Sequence, residues 1–428
     1  MIRSLSLHQF KNFRDATLHL GPFTVLIGAN ASGKSNIRDA FRFLHGIGRG
    51  YSLAEILGEK YVGGERIWSG IRGGTREVAY SGSNSFEVYI DLDVEFPGFV
   101  PRNTAQFNYL IEIEPSGPNA RPPKVLHESL GFREVDVFVD TKEIDDKHLS
   151  VKFSRFKEDK KFFNKNIYQS NSPIIFQILN EAKVKSRAVM NLSYSVMHHL
   201  ESFAFLDLSP TQMRLPSLPG QSTLGDRGEN LSTVLMAICE DASKKEAMLE
   251  WVRRLTPMDV ADLDFDSDAS GRIALRIKER DGRSISVASA SDGTLRFLGI
   301  LASLFGPKPA EFTFIEELEN GIHPTRLGLL VELIENQTRR RGIQVVATCH
   351  APLVLQYLSK DALEDASIVY RLPGRPDAQI KRIVDIPEAK RVIEEQGVSL
   401  LHASSWFEDA LDLTEDEASE PVASVSPE

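Results

Sequence analysis

The chain has 428 residues, of which 42% are hydrophobic, and a formal net charge of −10. This length corresponds to two or three domains with a substantial core, and the negative charge argues against a protein that coats nucleic acid over its whole surface, although a local basic groove stays compatible with it. No stretch approaches 18 uninterrupted apolar residues, so we expect no membrane span. The only two cysteines, Cys239 and Cys349, lie far apart without a C-x-x-C partner. They support neither a disulfide framework nor a zinc knuckle, and we expect both to be buried, reduced thiols.

The N-terminal residues 1–7 alternate as in a strand and lack a signal-peptide core, so we expect a cytoplasmic protein. Residues 23–27 form an apolar run typical of a buried strand. From Lys34 onward, apolar residues recur at the spacing of one helix face. They are Ile37, Ala40, Phe41 and Leu44.

Between this strand and this helix stand eight residues, Gly28-Ala29-Asn30-Ala31-Ser32-Gly33-Lys34-Ser35, which match the P-loop pattern G-x-x-x-x-G-K-[ST]. Backbone NH groups of such a turn, together with the positive end of the helix, point at a β-phosphate. Lys34 can reach the β- and γ-phosphate oxygens, and Ser35 can ligate Mg²⁺. The sequence therefore predicts a nucleoside triphosphate site, and the alternative is a glycine-rich turn without a ligand.

The middle of the chain predicts further strands. Residues 85–94 and 109–113 have strand patterns, and residues 135–140 alternate valine with other residues as in a half-buried sheet. Basic and aromatic residues interleave between Lys152 and Tyr168. Two interpretations stay open for that segment: a nucleic-acid contact, or a strand or hairpin with a solvated basic face.

Residues 206–230 have the composition of a loop, and a helix is predicted from about Asn230. The segment Ser289-Ala290-Ser291-Asp292-Gly293-Thr294 precedes another helical run. Ser291 or Asp292 would cap that helix, and the same free NH groups could instead meet a phosphate.

Two strands near the C-terminus end in polar residues. The run Phe312-Thr313-Phe314-Ile315 leads into Glu316 and Glu317, as in a Walker B segment, where the first acid holds Mg²⁺ and the second polarises the attacking water. The run 344–349 leads into His350, which could bond a γ-phosphate. A helix predicted over 324–340 separates the strands, so they can lie parallel and bring Glu317 and His350 to one sheet edge.

Together these motifs resemble the ABC-type ATPase heads of the RecF, OLD and SMC group, and most closely the small stand-alone AAA-like ATPases. The resemblance covers most of the chain. It includes Phe10-Lys11-Asn12-Phe13-Arg14, the P-loop with Asn36, the signature-like Ser291-Asp292-Gly293-Thr294-Leu295-Arg296, and residues 316–324. It implies an α/β fold, namely a P-loop ABC-type ATPase head with a mixed sheet, an antiparallel β subdomain and a helical lobe.

The resemblance also implies ATP and Mg²⁺ as ligands and a head-to-tail homodimer, in which the signature of one subunit completes the ATP site of the other. Carried over by position, the P-loop residues Gly28, Asn30, Gly33, Lys34, Ser35 and Asn36 would bind the nucleotide. Ser35 and Glu316 would hold Mg²⁺, Glu317 would be the general base, and His350 would be the switch histidine. Ser291, Asp292 and Gly293 would belong to the signature, with Ser291 and Gly293 contacting the partner's γ-phosphate.

We divide the chain into a first part of the head with the P-loop (1–100), an inserted β/α subdomain (101–205), a second part of the head with the signature, Walker B segment and switch histidine (206–405), and an acidic disordered tail (406–428). Two functional hypotheses follow. One is an ATP-gated ATPase of a DNA transaction or of phage defence, with double-stranded DNA as a possible ligand. The other is a slowly hydrolysing scaffold for a separate effector such as a nuclease subunit.

Overall fold

The computed structural model describes residues 1–95, 104–116, 121–132, 136–153, 163–180, 187–372 and 374–386. Within these residues the chain forms four sheets, of which two are large. The strands are β1 Ile2–Phe10, β2 Phe13–His19, β3 Phe23–Ile27, β4 Lys60–Val62, β5 Glu65–Trp68, β6 Phe86–Glu95, β7 Thr104–Glu114, β8 Lys124–Phe132, β9 Asp136–Asp145, β10 His148–Phe153, β11 Phe163–Gln169, β12 Phe203–Leu206, β13 Val260–Ser267, β14 Ile273–Glu279, β15 Ser284–Ser286, β16 Phe312–Ile315, β17 Gln344–Cys349, β18 Ser367–Tyr370 and β19 Gln379–Arg382.

The helices are arranged around these sheets. They are α1 Lys34–Gly48, α2 Leu53–Leu57, α3 Gly74–Glu77, α4 Ile174–Leu179, α5 Arg187–Glu201, α6 Pro210–Met213, α7 Leu231–Cys239, α8 Ala242–Leu255, α9 Asp292–Phe305, α10 Pro324–Arg341 and α11 Lys360–Glu364. No helix in the described part of the chain is long and apolar enough to cross a membrane.

The central sheet has six strands in the order β12-β16-β17-β3-β18-β19. The first five run parallel, and β19 is an antiparallel edge strand. Because parallel strands end at the same edge, the loops after β3, β12, β16, β17 and β18 all leave the sheet on one side. The expectation that β16 and β17 lie parallel is confirmed by their register, in which Ile315 pairs with Ala347.

The second large sheet has eight antiparallel strands in the order β11-β10-β9-β8-β7-β6-β1-β2. It packs through its apolar face against α1 and α5, and these elements share one core. The side chain of Gln344 links the two sheets in their buried interior. Its Oε1 accepts the N–H of Ile2 at 2.9 Å, and its Nε2 donates to the carbonyl oxygens of Ile2 and Gly21 at 2.7 and 2.9 Å.

The alternation of side chains along β3 shows how the central sheet divides two cores. Leu26 faces the core shared with the eight-stranded sheet, whereas Phe23, Val25 and Ile27 face the second core. That second core contains α7, α8, α9 and α10, with the three-stranded sheet β13-β14-β15 at its side. All five residues of β3 are buried, which explains why its sequence is a continuous apolar run rather than an alternating one.

The strands and helices predicted from periodicity are present. The predicted helix after the P-loop is α1, and Ile37, Ala40, Phe41 and Leu44 are fully buried. The strand predicted over 135–140 corresponds to β9, although Val135 lies outside the described residues. The prediction that both cysteines are buried is confirmed for Cys349 and wrong for Cys239. Cys239 is only partly buried, since it occupies the last turn of α7. Both cysteines are free thiols.

The basic and aromatic segment 152–168 is described at its two ends, in strands β10 and β11. These strands pair antiparallel, with Phe153 opposite Phe163, which supports the hairpin interpretation of the segment. Residues 154–162 and the acidic tail 406–428 lie outside the described residues. The division of the chain into four parts stays a prediction, and β6 and β7 pair directly across the boundary proposed at residue 100.

Glu128 on β8 is a fully buried carboxylate. Its two oxygens accept the N–H groups of Ile174 and Ile175, at 2.6 and 3.0 Å, and the hydroxyl of Tyr109, at 3.1 Å. Burial raises the pKa of Glu128 to about 7, although these hydrogen bonds favour its ionised form. The folded protein therefore holds the Glu128 proton more tightly than the unfolded chain does.

This shift predicts a pH-dependent stability. The contribution of Glu128 to the free energy of unfolding is fully present below pH 4.5, the ordinary pKa of a glutamate, and is lost as the pH rises towards 7. The full loss is on the order of 3 kcal/mol. We expect Glu128→Gln to abolish this component, which can be measured as the change in melting temperature between pH 5 and pH 8. Glu201→Gln, at an exposed position, is the control, and an equal pH response in wild type and Glu128→Gln would contradict the assignment.

Candidate functional site

The P-loop connects β3 to α1 in a backbone conformation that requires its glycines. Gly33 immediately precedes α1 with a φ of 126°, and a Cβ there would lie 2.9 Å from Cζ of Phe13. A Cβ at Gly28 would lie 2.2 Å from the carbonyl oxygen of Val369. Side chains at either position would therefore displace the loop, because no real Cβ approaches another heavy atom so closely.

Lys34, the first residue of α1, is only 6% exposed. Its ammonium donates to the carbonyl oxygens of Gly28 and Ala29, at 2.5 and 2.9 Å, and lies 3.3 Å from Nδ1 of His350. Burial lowers the pKa of Lys34 below its ordinary value, with nearby Glu319 acting in the opposite direction. The ammonium is thus desolvated, none of these three partners carries a negative charge, and an anionic oxygen would be a stronger partner than any of them.

A cavity of about 430 Å³ opens around the P-loop at the carboxyl edge of the central sheet. It collects side chains from the ends of three of the parallel strands, in addition to the loop itself. Its lining comprises Asn12, Ala29, Asn30, Ala31, Ser32, Gly33, Lys34, Ser35, Asn36, Arg72, Glu316, Glu317, Thr348, His350 and Arg371. The predicted convergence of Glu317 and His350 at one sheet edge is confirmed by this lining.

Glu316 follows the last residue of β16, and its N–H donates to the carbonyl oxygen of Leu206 at 3.0 Å. Its carboxylate is partly buried, and burial raises its pKa. Arg38 opposes that shift, with its Nε 3.4 Å from Oε2 of Glu316. The guanidinium of Arg38, on α1, therefore forms an ion pair with the carboxylate of Glu316.

Glu317 adopts a left-handed backbone conformation, with a φ of 51°. Its N–H donates to Oγ1 of Thr348 at 3.0 Å, and its Oε2 accepts the side-chain amide of Asn320 at 2.8 Å. A non-glycine residue with positive φ is uncommon and costs free energy, so it persists only where neighbouring contacts fix it. Here these contacts aim an exposed carboxylate into the cavity.

His350 connects Glu317 with Lys34. Its Nε2 lies 3.4 Å from Oε1 of Glu317, and its Nδ1 faces the Lys34 ammonium. Because an ammonium can only donate, Nδ1 is the acceptor in its contact with Lys34. The backbone N–H of His350 donates to Oε1 of Glu319 at 2.5 Å, which fixes the start of this loop.

The signature-like segment lies elsewhere on the surface. Ser291 caps α9, as predicted, by accepting the N–H of Thr294 at 3.2 Å. Asp292 pairs with Arg214 at 2.6 Å, and Ser291 and Asp292 are exposed. None of the residues 291–293 lines the nucleotide cavity of the same chain.

Sequence reasoning missed several residues that line the cavity. Arg72 was missed because it lies in a loop without periodicity, and its guanidinium is held by buried Asp39, at 3.0 Å, which also binds Lys11. Arg371, the residue directly after β18, also lines the cavity and was also missed. The only available signals were an arginine before Gly73-Gly74 and an arginine after an apolar strand, and neither is specific.

Asn12 belongs to the N-terminal motif that carried part of the resemblance, and its role becomes visible in the structure. Its Oδ1 accepts the side-chain amide of Asn36 at 2.6 Å, and its Nδ2 donates to the carbonyl oxygen of Ser32 at 3.4 Å. The turn between β1 and β2 therefore supports the P-loop from outside. Asn36, which was predicted to bind nucleotide, lines the cavity, but its side-chain amide donates to Asn12 in this structure.

The donor set suits Mg²⁺, which prefers hard oxygen ligands and keeps several waters. Ser35, Glu316 and Glu317 offer a hydroxyl and two carboxylates to one cavity. Within the described residues the Ser35 hydroxyl has no hydrogen-bond partner in the structure. Its oxygen is thus available to a cation at the start of α1, beside the position offered to phosphates.

A glycine-dependent P-loop, a desolvated lysine, two carboxylates after the neighbouring strand and a histidine after the next define a P-loop ATPase head of the ABC type. A family model described as "AAA domain, putative AbiEii toxin, Type IV TA system" matches residues 23–232 and 240–356. The chain belongs to this family. The predicted class, an ABC-type ATPase head of the RecF and SMC group, is thereby confirmed.

Individual relatives are distant. An "ATP/GTP phosphatase" of Helicobacter pylori (strain ATCC 700392 / 26695) is 21% identical over 366 residues, which are 84% of this chain and 88% of that protein. The "DNA replication and repair protein RecF" of Gloeobacter violaceus (strain ATCC 29082 / PCC 7421) is 48% identical over only 44 residues, 10% of this chain and 12% of that protein.

Two solved structures of similar proteins have TM-scores below 0.5. The Smc head bound to the C-winged helix domain of ScpA is 14% identical, with a TM-score of 0.47, and the match covers 89% of this chain and 97% of that one. The SMC head domain from Thermotoga maritima is 13% identical, with a TM-score of 0.41, and the match covers 89% and 98%. The assignment of the class rests on the family match and on the site, not on these two structures.

Proposed function

We propose that the chain binds ATP with Mg²⁺ in the P-loop cavity, hydrolyses it, and does so as a head-to-tail homodimer. The observation that carries this proposal is the chain of contacts from Lys34 through His350 to Glu317, which links the phosphate-binding end of the cavity to its carboxylate. The proposal places the protein in the cytoplasm, where ATP is available.

In this proposal Lys34 leaves the carbonyl oxygens of Gly28 and Ala29 for the β- and γ-phosphate oxygens, while the N–H groups of the P-loop hold the β-phosphate. Ser35 and Glu316 hold Mg²⁺, which neutralises developing phosphate charge when bound. Gly28, Asn30, Gly33 and Asn36 shape the cavity around the nucleotide.

Glu317 accepts a proton from the attacking water, whose oxygen forms a bond to the γ-phosphorus as the bond to the bridging oxygen breaks. The electron pair of that bond leaves with ADP, and the products are ADP and phosphate. His350, with Nε2 3.4 Å from the carboxylate of Glu317, would stabilise negative charge near the γ-phosphate. The exposed position of Glu317 is compatible with access of water to it.

The position of the signature-like segment, outside the nucleotide cavity of its own chain, supports the proposed dimer. Ser291 and its neighbours stand at the exposed start of α9, a helix of 14 residues, and line no part of the nucleotide cavity of their own chain. The N–H groups at this end of the helix, with the Ser291 hydroxyl, suit the γ-phosphate held by a second copy. Asp292 would position this turn through Arg214.

Glu317→Gln tests the proposed base. We expect nucleotide binding to persist, because the amide preserves shape, while hydrolysis falls on the order of a hundredfold or more, since the proton acceptor is lost. The ATP-bound dimer should then accumulate, which light scattering with size-exclusion chromatography would detect. An unchanged hydrolysis rate would rule out Glu317 as the base, and the exposed Glu332→Gln serves as a control.

Mixing two inactive variants tests the composite site. Lys34→Ala should lose ATP binding through its own P-loop, and Ser291→Arg should block the signature while leaving its P-loop intact. In an equal mixture about half of the dimers would be mixed, and each would have one complete site, so about a quarter of all sites would be restored. Activity of the mixture no higher than that of either variant alone would contradict the shared site.

The biological role has two candidates. The first is an ATP-gated ATPase in a DNA transaction or in phage defence, and the short match to a DNA replication and repair protein supports the DNA transaction. The second is a slowly hydrolysing scaffold for a separate effector such as a nuclease. The proposed nucleotide-dependent closure of a dimer would serve either role.

Stimulation and co-purification distinguish these roles. We expect double-stranded DNA to raise the ATP turnover of the purified chain several-fold if it acts directly on DNA. DNA without effect on turnover, together with a nuclease or other effector that co-purifies under native conditions, would favour the scaffold. Turnover that rises with DNA, without a co-purifying effector, would favour the ATPase of a DNA transaction, and Lys34→Ala is the negative control for turnover.

A further inference from the structure

A second cavity lies against α1, apart from the nucleotide cavity. Its volume is about 690 Å³, and none of its lining residues belongs to the lining of the nucleotide cavity. Four arginines contribute to its wall. Arg38, Arg42 and Arg49 are spaced by four and seven residues along one face of α1 and its end, and Arg227 comes from the loop before α7.

Arg42 is held in place before any ligand arrives. Its guanidinium lies over the ring of Trp68, with Cζ 4.5 Å from the ring centroid. It also donates to Oγ of Ser69 at 3.0 Å, to the carbonyl oxygen of Gly70 at 3.3 Å and to the carboxylate of Asp226 at 3.3 Å. A guanidinium fixed in this way loses little conformational entropy on binding an anion.

The charges of the cavity are only partly neutralised. Asp226 is shared with Arg42, and Glu229 accepts the backbone N–H of Arg227 at 3.1 Å. Arg49 donates to the hydroxyl of Tyr51 at 2.8 Å. Within the described residues no carboxylate forms an ion pair with Arg49 or with Arg227.

Arg49 and Arg227, which are exposed and form no ion pair with a carboxylate among the described residues, therefore line the same cavity as the preorganised Arg42. Asp207 also lines the cavity, so a group that binds there must approach the arginines rather than this acid. Planar guanidinium groups bind phosphate through paired N–H donors, which makes phosphate the ligand chemistry that fits this wall.

We propose that this arginine cavity binds a phosphate group of a ligand other than the ATP that is hydrolysed, either free phosphate or the terminal phosphate of a nucleic-acid strand. The proposal does not depend on ATP hydrolysis or on the dimer. Arg38 gives the cavity a connection to the ATP site, since the same side chain lines the cavity and pairs with Glu316 at 3.4 Å. An anion bound there would compete with Glu316 for Arg38.

Trp68 provides an internal probe, because it lines this cavity beneath Arg42. The chain has three tryptophans, and Trp251→Phe with Trp406→Phe leaves Trp68 alone. The full chain in this background is titrated with inorganic phosphate at constant ionic strength, without nucleotide or Mg²⁺. We expect a saturable change in fluorescence, and a loss of apparent affinity on the order of tenfold when Arg49→Met and Arg227→Met are combined.

The control variant is Arg340→Met, which removes an exposed arginine far from this cavity in sequence and should leave binding unchanged. Lys34→Ala should also retain the Trp68 response, because that response does not require the P-loop. Loss of the response in Lys34→Ala, or equal affinity in wild type and the Arg49/Arg227 double variant, would overturn the proposal.

A short single strand with a 5′-phosphate, compared with the same strand ending in a 5′-hydroxyl, separates the two sources of phosphate. Binding of the phosphorylated strand that is tighter than binding of both the 5′-hydroxyl strand and inorganic phosphate would assign the cavity to a strand end. Binding of inorganic phosphate alone would assign it to a free anion. If none of these probes changes Trp68 fluorescence while the melting temperature shows a folded protein, the cavity is not a phosphate site.

Discussion

The parallel pairing of β3, β17 and β16 is the constraint on which the site depends. Cys349 at the end of β17 lies opposite Ile27 at the end of β3, and Ile315 at the end of β16 lies opposite Ala347, so all three strands end at the same edge of the sheet. The P-loop, His350 and the two glutamates then meet at one edge, although more than 280 residues of sequence separate the first from the others. A shift in this register would move every one of these groups relative to the rest, because adjacent residues in a strand point to opposite faces.

Within this frame, the electrostatics of Lys34 explain how the cavity is prepared for an anion. A buried ammonium is costly unless it is hydrogen-bonded, and two carbonyl oxygens and His350 supply that compensation in the structure. None of these partners carries a negative charge, so phosphate oxygens would displace them with a gain in interaction energy. The two carboxylates that act on Lys34 from nearby are bound to other groups: Glu319 accepts the N–H of His350, and Glu317 accepts the side-chain amide of Asn320.

Local patterns predicted the strands and helices that adjoin the P-loop and the Walker B segment, because a buried strand such as β3 and an amphipathic helix such as α1 carry their periodicity in their own residues. The P-loop and the strand that leads into Glu316 could be predicted for the same reason, because each is a local sequence pattern. Arg72, Arg371 and the support of the P-loop by Asn12 were not, since each depends on which loops the tertiary fold places together. The pairing of β1 and β6 into one sheet with β11 at its far edge likewise depends on long-range contacts, for which the sequence has no short-range signal.

The position of the signature relative to the Walker B segment gives the two halves of the proposed composite site a physical connection. Gly293, in the first turn of α9, packs so closely on the carbonyl oxygen of Gly321 that a Cβ would lie 2.5 Å from it. Gly321 belongs to the same short loop as Glu317, whose backbone N–H donates to Oγ1 of Thr348 and whose carbonyl oxygen accepts the N–H of Asn320. A displacement of Glu317 would therefore be transmitted to the start of α9 through four residues of backbone. If that helix start meets a second copy, as proposed, the state of one cavity would alter the contact that completes the other.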